Sequence, residues 1–501
     1  MSALLAASLA GCAALMGSHP DGVTVSSARA VQPADNWLPA QQRAYAPRQV
    51  SVPLCRVEGT IEGNIGFELW LPQQWNGRYL GAGVGGDAGV FNYLDMSLRV
   101  GEGFAVASTD SGHKASDAHW MLDGKARQDY EHRAVHLTTV AARRLTERFY
   151  GQPIRHAYFT GCSGGGRQAL KSMQNYPKDF DGILAGAPGP NMPLQSVRMM
   201  WFALQQKWNP KAALTEADWD LYSTRAIVAC DGIDGRRDGI VENPAACKFD
   251  TAELACSEGQ DGSSGACIPA ERLDMLRSII APLTNADNEP MDGGLFPGVR
   301  TRPGPPSPLL RAMWADAAHG DPQWDEDKFD RTADLALINR VMPELRADRT
   351  SIDAFRRAGG KAIIYQGWED PSTNAGPTID YYRRLAADNG GLDAVSQTAR
   401  LFMVPGMYHC ARGPGADNFG GSGQMAFPGD PERDMLWALI RWVEEGKAPA
   451  SVLATKIEQN EQTFTRTLCA FPHSLSFAKG GDGRCKSDPV LEKMMLETGP
   501  R

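Results

Sequence analysis

The chain has 501 residues, 42% of them hydrophobic, and a formal net charge of -8 from 51 basic and 59 acidic residues. That is enough apolar material for a substantial core, and the intermixed charges leave no basic face for nucleic acid. A small-molecule or neutral polymer substrate fits better, and the length fits either several domains or one α/β core with a large insertion.

Residues 1–11 are apolar and small, like the end of a signal peptide, but lack a basic start and are too short to span a membrane. Leu9-Ala10-Gly11-Cys12 could serve as a lipobox, making Cys12 a lipid anchor. Phe67-Glu68-Leu69-Trp70-Leu71 alternates like a strand, and Arg78-Tyr79-Leu80-Gly81-Ala82 runs into the glycine-rich stretch 83–89. Residues 129–150 read as an amphipathic helix.

An apolar run from Ile154 to Thr160 then meets Gly161-Cys162-Ser163-Gly164-Gly165, and a helix-forming segment follows from Arg167. This is the pattern of a nucleophile elbow. A strand turning sharply into a helix has no room for side chains two positions either side of the serine, so Gly161 and Gly165 keep the backbones apart. A serine hydroxyl is a weak nucleophile and needs a histidine base oriented by a carboxylate. On this fold the order is serine, acid, histidine. Two strand-like runs supply candidates just past their ends: 361–367 leads to Asp370, with Glu369 its competitor, and 401–405 leads to His409. His473 has no strand-like run before it. The oxyanion needs two N–H donors, one from Gly164 and one from the earlier loop at 83–89.

Ser163 and Asp370 are too far apart in sequence for successive strands of one sheet, so a domain is inserted at about 190–351. Trp201, Phe202, Trp208, Trp219, Trp314 and Trp324 lie in it, and tryptophans are more often core than pocket wall. Within it, 230–243 packs Asp231, Asp234 and Asp238 among glycines, a pattern open to a hard cation or to a solvated acidic turn. Residues 434–445 form an amphipathic helix stopped near Gly446. The ten cysteines are an even set and favour an oxidising compartment over a cytosolic chain of scattered thiols. Cys162 precedes the serine and Cys410 follows the histidine, so a closed site brings them within disulfide reach.

In Cys162-Ser163, Asp370 and His409-Cys410, the chain resembles the tannase and feruloyl esterase family, which includes bacterial mono(2-hydroxyethyl) terephthalate hydrolase. Trp75-Asn76-Gly77-Arg78, 108–113, 182–188 and Val404-Pro405-Gly406-Met407 are similar too. The resemblance implies an α/β-hydrolase fold with an inserted lid: core 12–189, lid 190–351, core 352–501. It implies Gly86 as the second oxyanion donor, with Gly85 a near rival. It implies structural calcium at Asp231, Asp234 and Asp238 by side chain and at Arg236 and Ile240 by carbonyl. It suggests bridges Cys12–Cys55, Cys230–Cys247, Cys256–Cys267 and Cys469–Cys485, with Cys12 opening the mature domain of a secreted or periplasmic protein. The implied reaction is hydrolysis of hydroxycinnamic or gallic acid esters, the alcohol belonging to a plant polysaccharide or polyphenol. A terephthalate half-ester hydrolase is the alternative, and a secreted calcium-binding binder on the same fold is the rival from another class.

Overall fold

The structure, a computed structural model, describes residues 5–6, 9–40, 45–46, 48–301, 304–459, 461–477 and 482–497. Of the leader-like stretch 1–11, residues 1–4 and 7–8 therefore lie outside the described residues.

Ten strands form one sheet: β1 (Gly17–His19), β2 (Val23–Val31), β3 (Leu54–Ile61), β4 (Ile65–Pro72), β5 (Arg78–Ala82), β6 (Ala105–Thr109), β7 (His156–Cys162), β8 (Gly182–Gly186), β9 (Lys361–Gly367) and β10 (Ala399–Val404). Their order across the sheet is β10-β9-β8-β7-β5-β6-β4-β3-β2-β1. From β10 to β6 all neighbours are parallel, and from β6 through β4 to β1 all are antiparallel. The parallel strands read as apolar runs because both faces are covered. Tyr79, Phe159, Ile183 and Ile364 point into one core with the helices α1 (Ala134–Tyr150) and α2 (Gly164–Asn175). Leu80, Tyr158, Leu184, Ile363 and Phe402 point into the other.

The helix expected over 129–150 is not uniform. Residues Asp129–Arg133 make a π-helical turn before α1 begins, so their side chains are rotated away from where an unbroken α-helix would put them.

Between β8 and β9 the chain leaves the sheet and builds α3 (Met192–Trp208), α4 (Glu216–Cys230), α5 (Ala270–Ile280) and α6 (Arg331–Val341). Trp219 is buried in one apolar cluster of this insertion; Trp314 and Trp324 are buried in another that reaches Val84, Ala88 and Tyr130 of the hydrolase core. The chain then returns for β9, β10 and α7 (Met435–Glu445), which Asp434 caps at its start and Gly446, at φ 71°, at its end. The hairpin β11 (Ser451–Glu458) and β12 (Glu461–Cys469) follows. Since β5, β7, β9 and β10 are parallel, the loops that leave their C-terminal ends emerge on one edge of the sheet.

Candidate active site

Ser163 sits in the turn from β7 to α2 with φ 61° and ψ -124°. A side chain in this sparsely populated region is strained, and the strain is held by the turn. Its amide donates to Gly186 O at 2.9 Å, and its carbonyl accepts from Arg167 N at 2.9 Å. A Cβ at Gly161 would lie 2.6 Å from the carbonyl carbon and oxygen of Gly165, and one at Gly166 would lie 2.1 Å from Gly186 O. Only glycine permits that approach.

Asp370, in the loop after β9, is fully buried. Its Oδ2 accepts from His409 Nδ1 at 2.7 Å, Thr373 Oγ1 at 2.6 Å and Gln366 Nε2 at 3.2 Å. Its Oδ1 accepts from the amides of Ser372 at 2.8 Å and Thr373 at 2.9 Å. Burial lowers the affinity of the His409 ring for a proton, but the charge and hydrogen bond of Asp370 more than offset it, so the imidazole pKa is raised. Glu369 does not reach the ring in any hydrogen bond among the described residues, and burial pushes its carboxyl up to about 8. It is therefore protonated at neutral pH and unsuited to stabilise an imidazolium. His473 opens a short strand, His473–Phe477, after the β12 strand that the sequence did not suggest, and is exposed there.

Ser163 and His409 line one cavity of about 1190 Å³. They are not hydrogen-bonded to each other among the described residues, a contact that often tightens only when substrate is bound. Their neighbours Cys162 and Cys410 are joined, with Cα atoms 5.9 Å apart. The other bridges are Cys12–Cys55, Cys230–Cys247, Cys256–Cys267 and Cys469–Cys485.

The strap after β5 passes directly over the start of α2. A Cβ at Gly164 would lie 3.0 Å from Gly86 O, 3.1 Å from Val84 O and 3.2 Å from Gly85 Cα. The Gly85 amide is committed to Tyr45 Oη at 2.6 Å, which favours Gly86, at φ 64°, over its rival.

The insertion supplies the far wall. Trp201 and Phe202 line the cavity with Leu283, Leu295, Pro305 and Leu310, whereas Trp219, Trp314 and Trp324 are core and Trp208 is exposed. Residues 302–303, which precede the cavity-lining Gly304, Pro305 and Pro306 in the sequence, lie outside the described residues.

The acidic loop is organised in a way its sequence did not reveal. Asp231 Oδ1 accepts from the amides of Asp238 and Gly239 at 3.0 Å and of Ile240 at 3.3 Å. The buried Arg466 guanidinium, from β12, donates to Asp234 at 2.7 Å, Asp238 at 2.9 Å and Glu242 at 3.0 Å. Arg236 stacks on Phe477, at 4.2 Å. Among the described residues no three acidic, histidine or cysteine side chains gather as a metal site; Asp234 and Asp238 are instead paired with Arg466. One guanidinium against the three aspartates Asp231, Asp234 and Asp238 still leaves excess negative charge on hard oxygen donors, the donor type that calcium takes.

Sequence reasoning missed Gln366, Thr373 and Arg466. The run Asp370-Pro371-Ser372-Thr373 does carry the composition of a turn in which an aspartate accepts from following amides. Nothing local signals Arg466.

Comparison with known proteins places the chain in a family. The sequence pattern described as tannase and feruloyl esterase matches residues 48–299 and 318–490. A probable feruloyl esterase B-1 of Aspergillus terreus is 30% identical over 443 residues, 84% of this chain and 83% of that one. One from Aspergillus flavus is 31% identical over 440 residues, again 84% and 83%. The crystal structure of feruloyl esterase B from Aspergillus oryzae superposes with a TM-score of 0.88 at 27% identity, covering 94% of this chain and 98% of that one. Tannin acyl hydrolase from Aspergillus niger shares the fold, with a TM-score of 0.78 at 22% identity over 98% of this chain and 96% of that one. The chain belongs to the tannase and feruloyl esterase family and is a carboxylic ester hydrolase on the α/β-hydrolase fold.

Proposed function

We propose that the protein is a serine esterase that cleaves esters of hydroxycinnamic or gallic acids through an acyl-enzyme. The observation that carries this reading is the His409–Asp370 bond of 2.7 Å on a cavity that Ser163 also lines. His409 Nε2 takes the Ser163 proton as Oγ attacks the ester carbonyl, and Asp370 holds the ring in the tautomer that leaves Nε2 free. The amides of Gly164 and Gly86 hold the oxyanion. The tetrahedral intermediate collapses as His409 protonates the leaving alcohol, and water activated by His409 then releases the acid and regenerates Ser163.

Trp201 and Phe202 favour an aromatic acyl group, and the cavity, at about 1190 Å³, exceeds the usual size for one small ligand and leaves room for a larger alcohol such as a sugar or polyphenol. The insertion 190–351 acts as the lid. Five bridged cysteine pairs favour a secreted or periplasmic site of action. Structural calcium is assigned to Asp231, Asp234 and Asp238 with the carbonyls of Arg236 and Ile240. Chelation should then lower the thermal midpoint, by the equivalent of about 3 kcal/mol relative to calcium at a hundredfold excess over its Kd. An unchanged midpoint on chelation, with no calcium in the purified protein, would remove the metal.

The test is hydrolysis of methyl ferulate, methyl gallate and mono(2-hydroxyethyl) terephthalate by the wild type and Ser163→Ala. One of the first two esters should be cleaved, with a loss of about four orders of magnitude or more in the variant. Full activity in Ser163→Ala would refute the mechanism. A wild type that a fluorophosphonate does not label would instead point to a non-catalytic binder.

A further inference from the structure

The strap carrying Gly86 is held at three successive peptide units. The Gly85 amide donates to Tyr45 Oη at 2.6 Å. The Gly85 carbonyl accepts from Ala88 N at 3.2 Å, which turns the Gly86 N–H to the opposite side of that peptide. The Gly86 carbonyl accepts from Tyr130 Oη at 2.8 Å. Tyr130 is buried at 2% exposure and lies in the π-helical turn Asp129–Arg133. The same residue touches the nucleophile helix. Arg167, on the first turn of α2 and itself 1% exposed, donates to the carbonyls of Tyr130 at 3.0 Å and Glu131 at 2.9 Å. Its guanidinium also lies over the Tyr130 ring, 4.8 Å from the centroid. Tyr130 thus connects the two segments whose amides must converge on one oxygen, the Gly86 strap and the Gly164 end of α2.

We infer that Tyr130 is a positioning residue for the oxyanion hole, acting through the Gly86 carbonyl and through Arg167 rather than by touching substrate. This rests on the acyl-enzyme reading above. Its physical basis is that donors stabilise a transition state only when they are already aimed at the position of the developing charge. The hydroxyl is the part of the side chain that reaches the strap, while the ring holds Arg167 and stacks edge-on with Trp120 at 5.1 Å. Tyr130→Phe therefore separates positioning from packing.

Wild type, Tyr130→Phe and Ser163→Ala are compared on whichever aromatic methyl ester the wild type cleaves, with inhibition measured by an arylboronic acid and by the product acid. In Tyr130→Phe, kcat should fall about 10- to 100-fold with KM within about twofold. Boronate affinity should fall in parallel with kcat/KM, and product-acid affinity should stay unchanged. A structural role alone would lower the thermal midpoint without splitting the two inhibitors. If Tyr130→Phe keeps wild-type kcat and boronate affinity while Ser163→Ala is inactive, the inference is wrong and the acyl-enzyme reading stands. If Ser163→Ala stays active, both are overturned.

Discussion

At His409 two opposing effects meet: burial disfavours the charged ring and Asp370 favours it, and Asp370 prevails. The catalytic base is the neutral ring. The acid limb of kcat/KM should therefore lie above about 6.5, the free imidazole value, and activity should rise as pH increases through the raised pKa. Stability has the opposite sign. The contribution of the His409–Asp370 pair is fully present below the unfolded pKa and is lost as pH rises through the folded one. Asp370→Asn should lower kcat about 10⁴-fold and move the acid limb down. A limb that stays in place would show that Asp370 does not set the ring's charge. Glu369→Gln, by contrast, should leave the limb unmoved, since that carboxyl is already protonated at neutral pH.

Among the elements, the elbow is the least tolerant of change. Gly161→Ala would place a methyl group 2.6 Å from the Gly165 backbone, so β7 and α2 must separate. The expected cost is about 1–3 kcal/mol, measured by denaturant unfolding, together with lost activity. Arg466→Met should cost about 3–5 kcal/mol, because Asp234, Asp238 and Glu242 would lose the guanidinium that all three carboxylates share, and burial, which already pushes Glu242 up to about 7, would drive that group to take up a proton. Equal stability with and without Arg466 would mean another cation already neutralises the loop. These two elements also mark what could be read from the sequence. The elbow is local: glycine spacing, apolar strand and helix former all lie within a short stretch, and the strands that lead to the Asp370 and His409 loops carry the same kind of signal. Arg466 meets its partners across 224 to 232 residues of chain, so no window of sequence contains the interaction. Tyr130 was hidden differently. Amphipathic periodicity suggested an ordinary helix, and periodicity does not report a π turn that redirects one side chain.

For the whole molecule, the insertion between β8 and β9 makes the active site a composite of distant segments. The Cys162–Cys410 bridge spans 248 residues and ties the nucleophile strand to the histidine loop across that insertion. Replacing both cysteines by serine should lower stability by up to about 5 kcal/mol. It should also reduce kcat more than KM, because the two loops lose their covalent register; unchanged kcat would assign the bridge to stability alone.

The most direct measurement is to mix the protein with excess methyl ferulate, or methyl gallate if that is the better substrate, quench with acid during turnover, and sequence the peptides by mass spectrometry. The acyl group is expected on the peptide spanning β7 and α2, at Ser163, and absent from Ser163→Ala. Turnover with no acyl adduct on Ser163, or with one on another residue, would contradict the mechanism.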